Sequence, residues 1–459
     1  MITEYNEDVF RELLRADDTG QIKEFCTGSH PASVAEAIEP LESHEIWQIL
    51  HLLPVALRAE IFPHFSLHQQ VELATGENRH GMAKLLEEME PDDRADLVQR
   101  LDEEISEEIL PLVARAERED IRKLIAFEQG TVGSVMNTDY ATLQPNLTVS
   151  QALEAIRRQA PGKATIYYIY VVDNQRQLIG LVSLRDIIMS KPAQVVRDIM
   201  DEEIVTVNVH DDQEDVARKI EKFDLIAIPV VSAGNVLVGI VTHDDAIDIL
   251  RQEQQEDVER LMAISGSHET DDYLDTNAWG HFKRRAIWLV ILAMLGMISG
   301  LIVQNFEALL LQFAVLAMFM PMLADTGGNT GSQSATLVVR ALSLREISPS
   351  DAARVILKEF SVAIMLAVLL ATLAMGRVMV FGGGSSMPED YSLFRIGMAV
   401  SLALGLQVIT ATLLGALLPL AAVKFRQDPA VVASPALTTI VDITGLLIYF
   451  TTAKYMLGF

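Results

Sequence analysis

From residue 281 to the end the chain is written in five long apolar stretches, about 286–303, 308–339, 360–381, 395–421 and 434–457, and this restricts its fold more than any other feature. Each is long enough to cross the ~30 Å hydrocarbon core of a bilayer as a helix. Backbone amides find no water there, so glycine-rich or polar backbone persists only against protein or a wet cavity. The second stretch breaks the apolar pattern at PMLADTGGNTGSQ, residues 321–333. Pro321 lacks an amide donor, Gly327, Gly328 and Gly331 admit a neighbouring backbone, and Asp325, Asn329, Thr330, Ser332 and Gln333 offer oxygens and amides. The segment is expected to line a path, and hard oxygen donors suit ions. For the glycines alone, close packing between membrane helices is an equal explanation.

One further carboxylate lies deep in an apolar run, Asp442 in SPALTTIVDITGLLIYF. Placing an ionised Asp at a membrane helix centre costs at least ~2.5 kcal/mol, so it should face a cavity, a partner or an ion. Thr438 and Thr439, one turn earlier, can add oxygens. Asp428 begins the segment, about 21 Å before Asp442 on a helix, at the membrane rim. Arg377 sits near the end of its stretch and can snorkel, so it is not assigned as a partner.

Charge separates the chain into two parts. Residues 1–280 carry 54 Asp/Glu against 24 Lys/Arg, and residues 281–459 carry 9 against 12. An acidic soluble body of this kind repels nucleic acid and anionic surfaces and attracts cations. The single Cys26 excludes an intrachain disulfide, and no cysteine cluster suggests zinc or iron–sulfur binding. The polar, acidic N-terminus has no basic region followed by an apolar core, so the first apolar stretch is expected to act as the insertion signal. Basic residues cluster at Lys283–Arg285, at Arg340, Arg345, Arg354 and Lys358, and at Lys424 and Arg426, whereas the loops near Asn305 and at 382–392 lack them. The positive-inside rule then puts the N-terminus in the cytoplasm and, with five spans, the C-terminus outside.

Residues 1–130 read as helices, with apolar positions at three and four spacing. Arg58-Ala59-Glu60-Ile61 and Arg94-Ala95-Asp96-Leu97 lie 36 residues apart, each after a proline (Pro54, Pro91), which suggests a helical repeat. The scattered His44, His51, His64 and His68 read as surface or packing residues. Residues 131–250 hold a clearer duplication: Val135-Met136 recurs as Ile199-Met200, and LIGLVSLRDII (178–188) recurs as LVGIVTHDDAI (237–247). The displacements, 64 and 59, differ because the first copy is longer near Ala160–Ala164. Each copy alternates β-branched runs with helical patterns in a βαββα order. Residues 251–280 read as a charged helix leading into an acidic approach to the membrane.

The duplicated unit resembles a tandem cystathionine-β-synthase (CBS) pair, on the signature present as Ser183 with Asp186 and Thr242 with Asp245. The resemblance implies that these groups hold the ribose of an adenine nucleotide such as ATP; a helix N-cap explains the same spacing as well. With both membrane motifs and this domain order, the whole chain resembles the MgtE family of magnesium channels. That resemblance implies a multi-domain membrane protein: an all-α cytosolic N-terminal domain over 1–130, an α/β CBS pair over 131–250, a connecting plug helix over 251–280 and a five-helix transmembrane pore domain over 281–459.

It also implies a homodimer in the cytoplasmic membrane whose pore, between protomers, holds hydrated Mg²⁺ at Asp442, with Asn329 and Thr438 beside it. Gating by cytosolic Mg²⁺ is implied at Asp93, Asp212, Glu214, Asp224, Asp245, Asp248, Glu256 and Asp257, with Asp428 at the rim. Alternatives are a membrane-tethered nucleotide or charge sensor without transport, and a transporter of another divalent cation such as Co²⁺. No His-Glu-x-x-His or paired catalytic Asp motif supports an enzyme.

Overall fold

The computed structural model describes residues 7–16, 18–262, 264, 276–381, 392–432 and 435–458. They form two compact units that divide between Glu253 and Gln254.

The first unit begins with short helices, from Glu7–Arg15 to Arg115–Ile125, around a core that includes Phe10, Ile38, Trp47, Phe62 and Leu86. The two Arg-Ala-acid-apolar motifs fall in equivalent helices. Val55–Ile61 is capped by Pro54, and Pro91–Arg100 (α1) has Pro91 in its first turn, where a missing amide costs nothing. Two three-stranded sheets follow with identical topology: β1 (Tyr140–Leu143), β2 (Thr165–Val172) and β3 (Leu178–Ser183), then β4 (Val207–Asn208), β5 (Ala227–Ser232) and β6 (Val236–Thr242). In each sheet the first two strands are parallel and the last two antiparallel. The extra length of the first copy is the short helical turn Ala160–Gly162.

The repeated Met and Gly residues are two halves of one contact. Met200 packs on Gly180 and Met136 on Gly239, where a Cβ would lie 2.5 and 2.7 Å from the respective sulfurs. Each methionine therefore reaches the strand of the other copy, so the sequence duplication is also the device that joins the pair.

α2 (Gln213–Phe223) packs on the second sheet, and α3 (His243–Leu261) leaves β6. A single helix over 251–280 is not what the described residues form. Residues 263 and 265–275 lie outside them, and Asn277 caps a new helix by accepting from the Gly280 amide.

The second unit is helical: α4 (Ala278–Asn305), α5 (Met320–Ser343), α6 (Ala352–Phe381), α7 (Leu393–Lys424) and α8 (Pro435–Leu457). Among the described residues four helical segments are long and apolar enough to cross a membrane, Ala278–Asn305, Pro349–Val380, Leu393–Lys424 and Pro435–Leu457. The expected span over 308–339 is instead interrupted. The helical turn Glu307–Gln312 ends at Phe313, a 3₁₀ segment covers Ala314–Phe319, and α5 starts at Met320 with Pro321 in its first turn. Proline clashes with the carbonyl four residues earlier, so it opens a helix more readily than it sits inside one.

Candidate functional site

In the first unit, α1 and the start of α3 face a cavity of about 680 Å³. Glu90, Asp92 and Asp93 line it from one side, and Asp139, Asp244, Asp245 and Asp248 from the other. Asn137 bridges two of these carboxylates, donating to Glu90 at 2.7 Å and Asp92 at 3.1 Å, and Lys163 pairs with Asp139 at 3.1 Å. That is little positive charge for so many acids. Desolvation, followed by repulsion from neighbouring carboxylates, raises Glu90 and Asp92 and lifts Asp93 to about 7. Burial likewise lifts Asp96 to about 6 and raises Asp245. Among the described residues no three Asp, Glu, His or Cys side chains converge tightly enough to strip and hold a bare ion. The space suits a cation that keeps its water shell.

A pH dependence follows. The folded-state values of these acids lie above their unfolded values, so the native state binds more protons and loses stability as pH rises through about 7. With divalent cations chelated, the thermal transition of the first unit should fall between pH 6 and pH 8. Asp93→Asn should flatten that slope, and a transition that rises with pH would contradict the assignment.

The other acids expected to bind cations are dispersed. Asp212 caps α2 by accepting from the Glu214 amide at 2.8 Å, and Glu214 pairs with Arg218 one turn on. Asp224 closes the opposite end of α2 in the left-handed region, at φ 51°. None of the three lines the cavity. Glu256 and Asp257 lie on α3, where Arg260 pairs with Glu256 and, at 2.5 Å, with Asp428. A built-in cation thus joins two of the positions expected to bind Mg²⁺. Sequence reasoning passed over Arg260 as one base in an acidic helix.

The nucleotide-type motifs act locally as caps. The Ser183 hydroxyl accepts from the Asp186 amide at 3.0 Å and donates to its carboxylate at 2.5 Å. Thr242 donates to Asp245 in the same way, but Asp245 belongs to the acidic cavity. Only the first copy leaves its hydroxyl and carboxylate on an exposed surface.

In the second unit, α5 has two opposite faces. Asp325, Asn329 and Gln333, at i, i+4 and i+8, form an exposed polar stripe. Gly327, Thr330, Gly331, Ser334 and Ala335 are buried. On that buried side Gly328 lies beside Thr438 of α8, and Gly327 and Gly331 meet Val441. Asp442 follows, half-buried, one turn after Thr438. The Thr438 and Thr439 hydroxyls donate to the Pro435 carbonyl at 2.8 and 3.0 Å.

Two polar side chains missed in the sequence pin these helices. Gln407 of α7, 1 % exposed, donates to the Leu323 carbonyl at 2.9 Å and fits between Gly327 and Gly445. Glu359 of α6 accepts from Ser334 at 2.8 Å. A lone Gln inside LALGLQVIT was the available signal for the first; Glu359 was hidden by its place at the edge of an apolar stretch.

Comparison with known proteins agrees with this architecture. Residues 320–452 match the model of a divalent cation transporter family named MgtE, 29–130 the MgtE intracellular N domain, and 132–191 and 196–252 the CBS domain. The magnesium transporter MgtE of Thermus thermophilus is 36% identical over 450 residues, covering 97% of both chains. That of Bacillus subtilis is 33% identical over 459 residues, covering 97% of this chain and 96% of its own. A crystal structure of the soluble part of a magnesium transporter aligns with 54% of this chain and 97% of its own, at TM-score 0.51 and 30% identity. The cytosolic domain of the Mg²⁺ channel MgtE, crystallised with ATP, aligns with 52% and 98%, at TM-score 0.50 and 34% identity. With its helical N-terminal domain, CBS pair and multi-pass helical region, the chain belongs to the MgtE family of magnesium transporters.

Proposed function

We propose that this protein is a Mg²⁺ channel of the cytoplasmic membrane, formed by two copies and closed by cytosolic Mg²⁺. The observation that carries the reading is the exposed stripe of Asp325, Asn329 and Gln333 on α5, together with the half-buried carboxylate Asp442 on α8. Polar groups facing lipid are costly, so the stripe calls for water and a second copy of itself. In this reading α5 joins the four apolar segments as a fifth span, shielded from lipid by its partner. The N-terminus is cytoplasmic and the C-terminus outside.

Mg²⁺ is the substrate. Two symmetry-related Asp442 carboxylates hold it through its inner waters, with Asn329 and Thr438 as neighbours, and such outer-sphere binding allows release. Gating rests on Asp93, Asp245 and Asp248 around the acidic cavity, on Asp212, Glu214 and Asp224 at the ends of α2, and on Glu256, Asp257 and Asp428 near Arg260. Cytosolic Mg²⁺ neutralises these acids and favours the compact, closed body. Its loss lets their repulsion open it. The ATP complex of a relative's cytosolic domain supports a nucleotide site at Ser183 and Asp186.

The test is Mg²⁺ flux in proteoliposomes with the cytosolic-side concentration varied. Flux should fall at least ~10-fold as that concentration rises to millimolar, the scale of a gate shifted by ~1.4 kcal/mol or more. Folded protein that conducts no divalent cation at any concentration would sink the channel reading in favour of a tethered sensor.

A further inference from the structure

We propose that the groove beside the first turns of α4 binds one anionic phospholipid; this rests on the second unit being the membrane domain. The groove, about 240 Å³, is lined by Met262 and Ile264 after α3, by Trp288 and Leu289 of α4, and by Pro435 at the start of α8. Among the described residues that line it, Arg285 is the one that carries a charge. Arg285, Trp288 and Leu289 are spaced i, i+3, i+4, so a single helix face presents a cation followed by an apolar channel. No acidic side chain pairs with Arg285 among the described residues. A fixed guanidinium above an apolar slot matches a phosphodiester above an acyl chain.

The surroundings favour lipid over another occupant. Lys283 and Arg284 precede Arg285, giving three consecutive cations at the entry to the span. Just before them Trp279 and Phe282 are exposed and stacked at 5.0 Å, with the Lys283 ammonium 5.8 Å from the Trp279 ring. Exposed aromatics interleaved with cations at a helix end mark the headgroup level of a bilayer. A soluble anion would have no use for the apolar slot, and a protein partner would not require three cations. The slot also touches both the end of α3 and the start of the helix bearing Asp442, so a bound lipid would fix one against the other.

The test is native mass spectrometry of the full chain in detergent, with phosphatidylglycerol or phosphatidylcholine of identical acyl chains. The parent should retain one phosphatidylglycerol per protomer with about tenfold preference over phosphatidylcholine. Arg285→Gln, an exposed substitution, should remove the preference. Leu289→Trp, which fills the slot, should remove retention, and Arg285→Gln alone decides if that variant does not fold. Excess glycerol 3-phosphate should not displace the lipid. Equal retention of both lipids, retention indifferent to the two substitutions, displacement by glycerol 3-phosphate, or a changed protomer number in place of lipid loss would each overturn the proposal. Retention is read without flux, so a negative result leaves the channel reading standing on its own test.

Discussion

Asp442→Asn is expected to lower Mg²⁺ flux at least ~100-fold in protein that still folds and reconstitutes. The substitution keeps the size of the side chain, removes its charge and exchanges one acceptor oxygen for an amide donor. A divalent ion about 5 Å from a carboxylate, at an effective dielectric near 20, is attracted by several kcal/mol, and in a symmetric dimer two such terms vanish together. A hundredfold loss needs about 2.8 kcal/mol, so most of that attraction can be spent on dehydration and the prediction still holds. The backbone around Asp442 is regular helix, with its carbonyls committed to intrahelical hydrogen bonds, so no ring of free carbonyls stands ready to replace the charge. Asn329→Ala should cost less, about tenfold, because it removes one neutral dipole. Dye-based Mg²⁺ uptake into proteoliposomes separates the two. Asp442→Asn protein that conducts at more than a third of the parent rate would remove Asp442 from the ion path.

The sequence motif at 321–333 posed a choice between an ion path and close helix packing, and the helix carries packing glycines on one face and an exposed polar stripe on the other. Gly327 and Gly331 are packing glycines, as spacing alone allowed. Asp325, Asn329 and Gln333 point the other way. Hydrophobic periodicity cannot reveal this, because glycine weighs little in it. The duplication at 131–250 was legible in more detail, since repeated words in one chain report repeated contacts: Met136 with Gly239 and Met200 with Gly180.

The acidic sites were the least legible. In a body with more than twice as many acids as bases, spacing does not select the few acids that meet across 150 residues. Glu90 and Asp92 entered the cavity without being singled out, and Asp212 turned out to serve as a helix cap. Arg260, joining Glu256 to Asp428 across more than 160 residues of sequence, depends wholly on tertiary placement.

Gly415→Ala is the second large effect, and its reason is backbone rather than charge. A Cβ at Gly415 of α7 would lie 2.2 Å from the Gly331 carbonyl oxygen and 3.1 Å from the Ser334 Cβ of α5. Reciprocally, a Cβ at Gly331 would lie 3.2 Å from the Ala411 carbonyl oxygen. Neither helix can yield by rotating a side chain, since the opposing atoms are main chain. α5 and α7 must therefore separate, at a cost of about 1–3 kcal/mol or more for an overpacked core. Separation carries α5 away from Gln407, whose bond to the Leu323 carbonyl holds the helix in register, and so shifts the stripe of Asn329 relative to Asp442. Flux should fall at least ~10-fold, with a lowered thermal transition. Gly405→Ala, on the same helix, is the control: its Cβ would meet Ala367 of α6 at 3.8 Å, an ordinary contact, and flux should stay within about twofold of the parent. If the two variants conduct alike, close approach at the Gly331–Gly415 crossing is not what sets the geometry of the path.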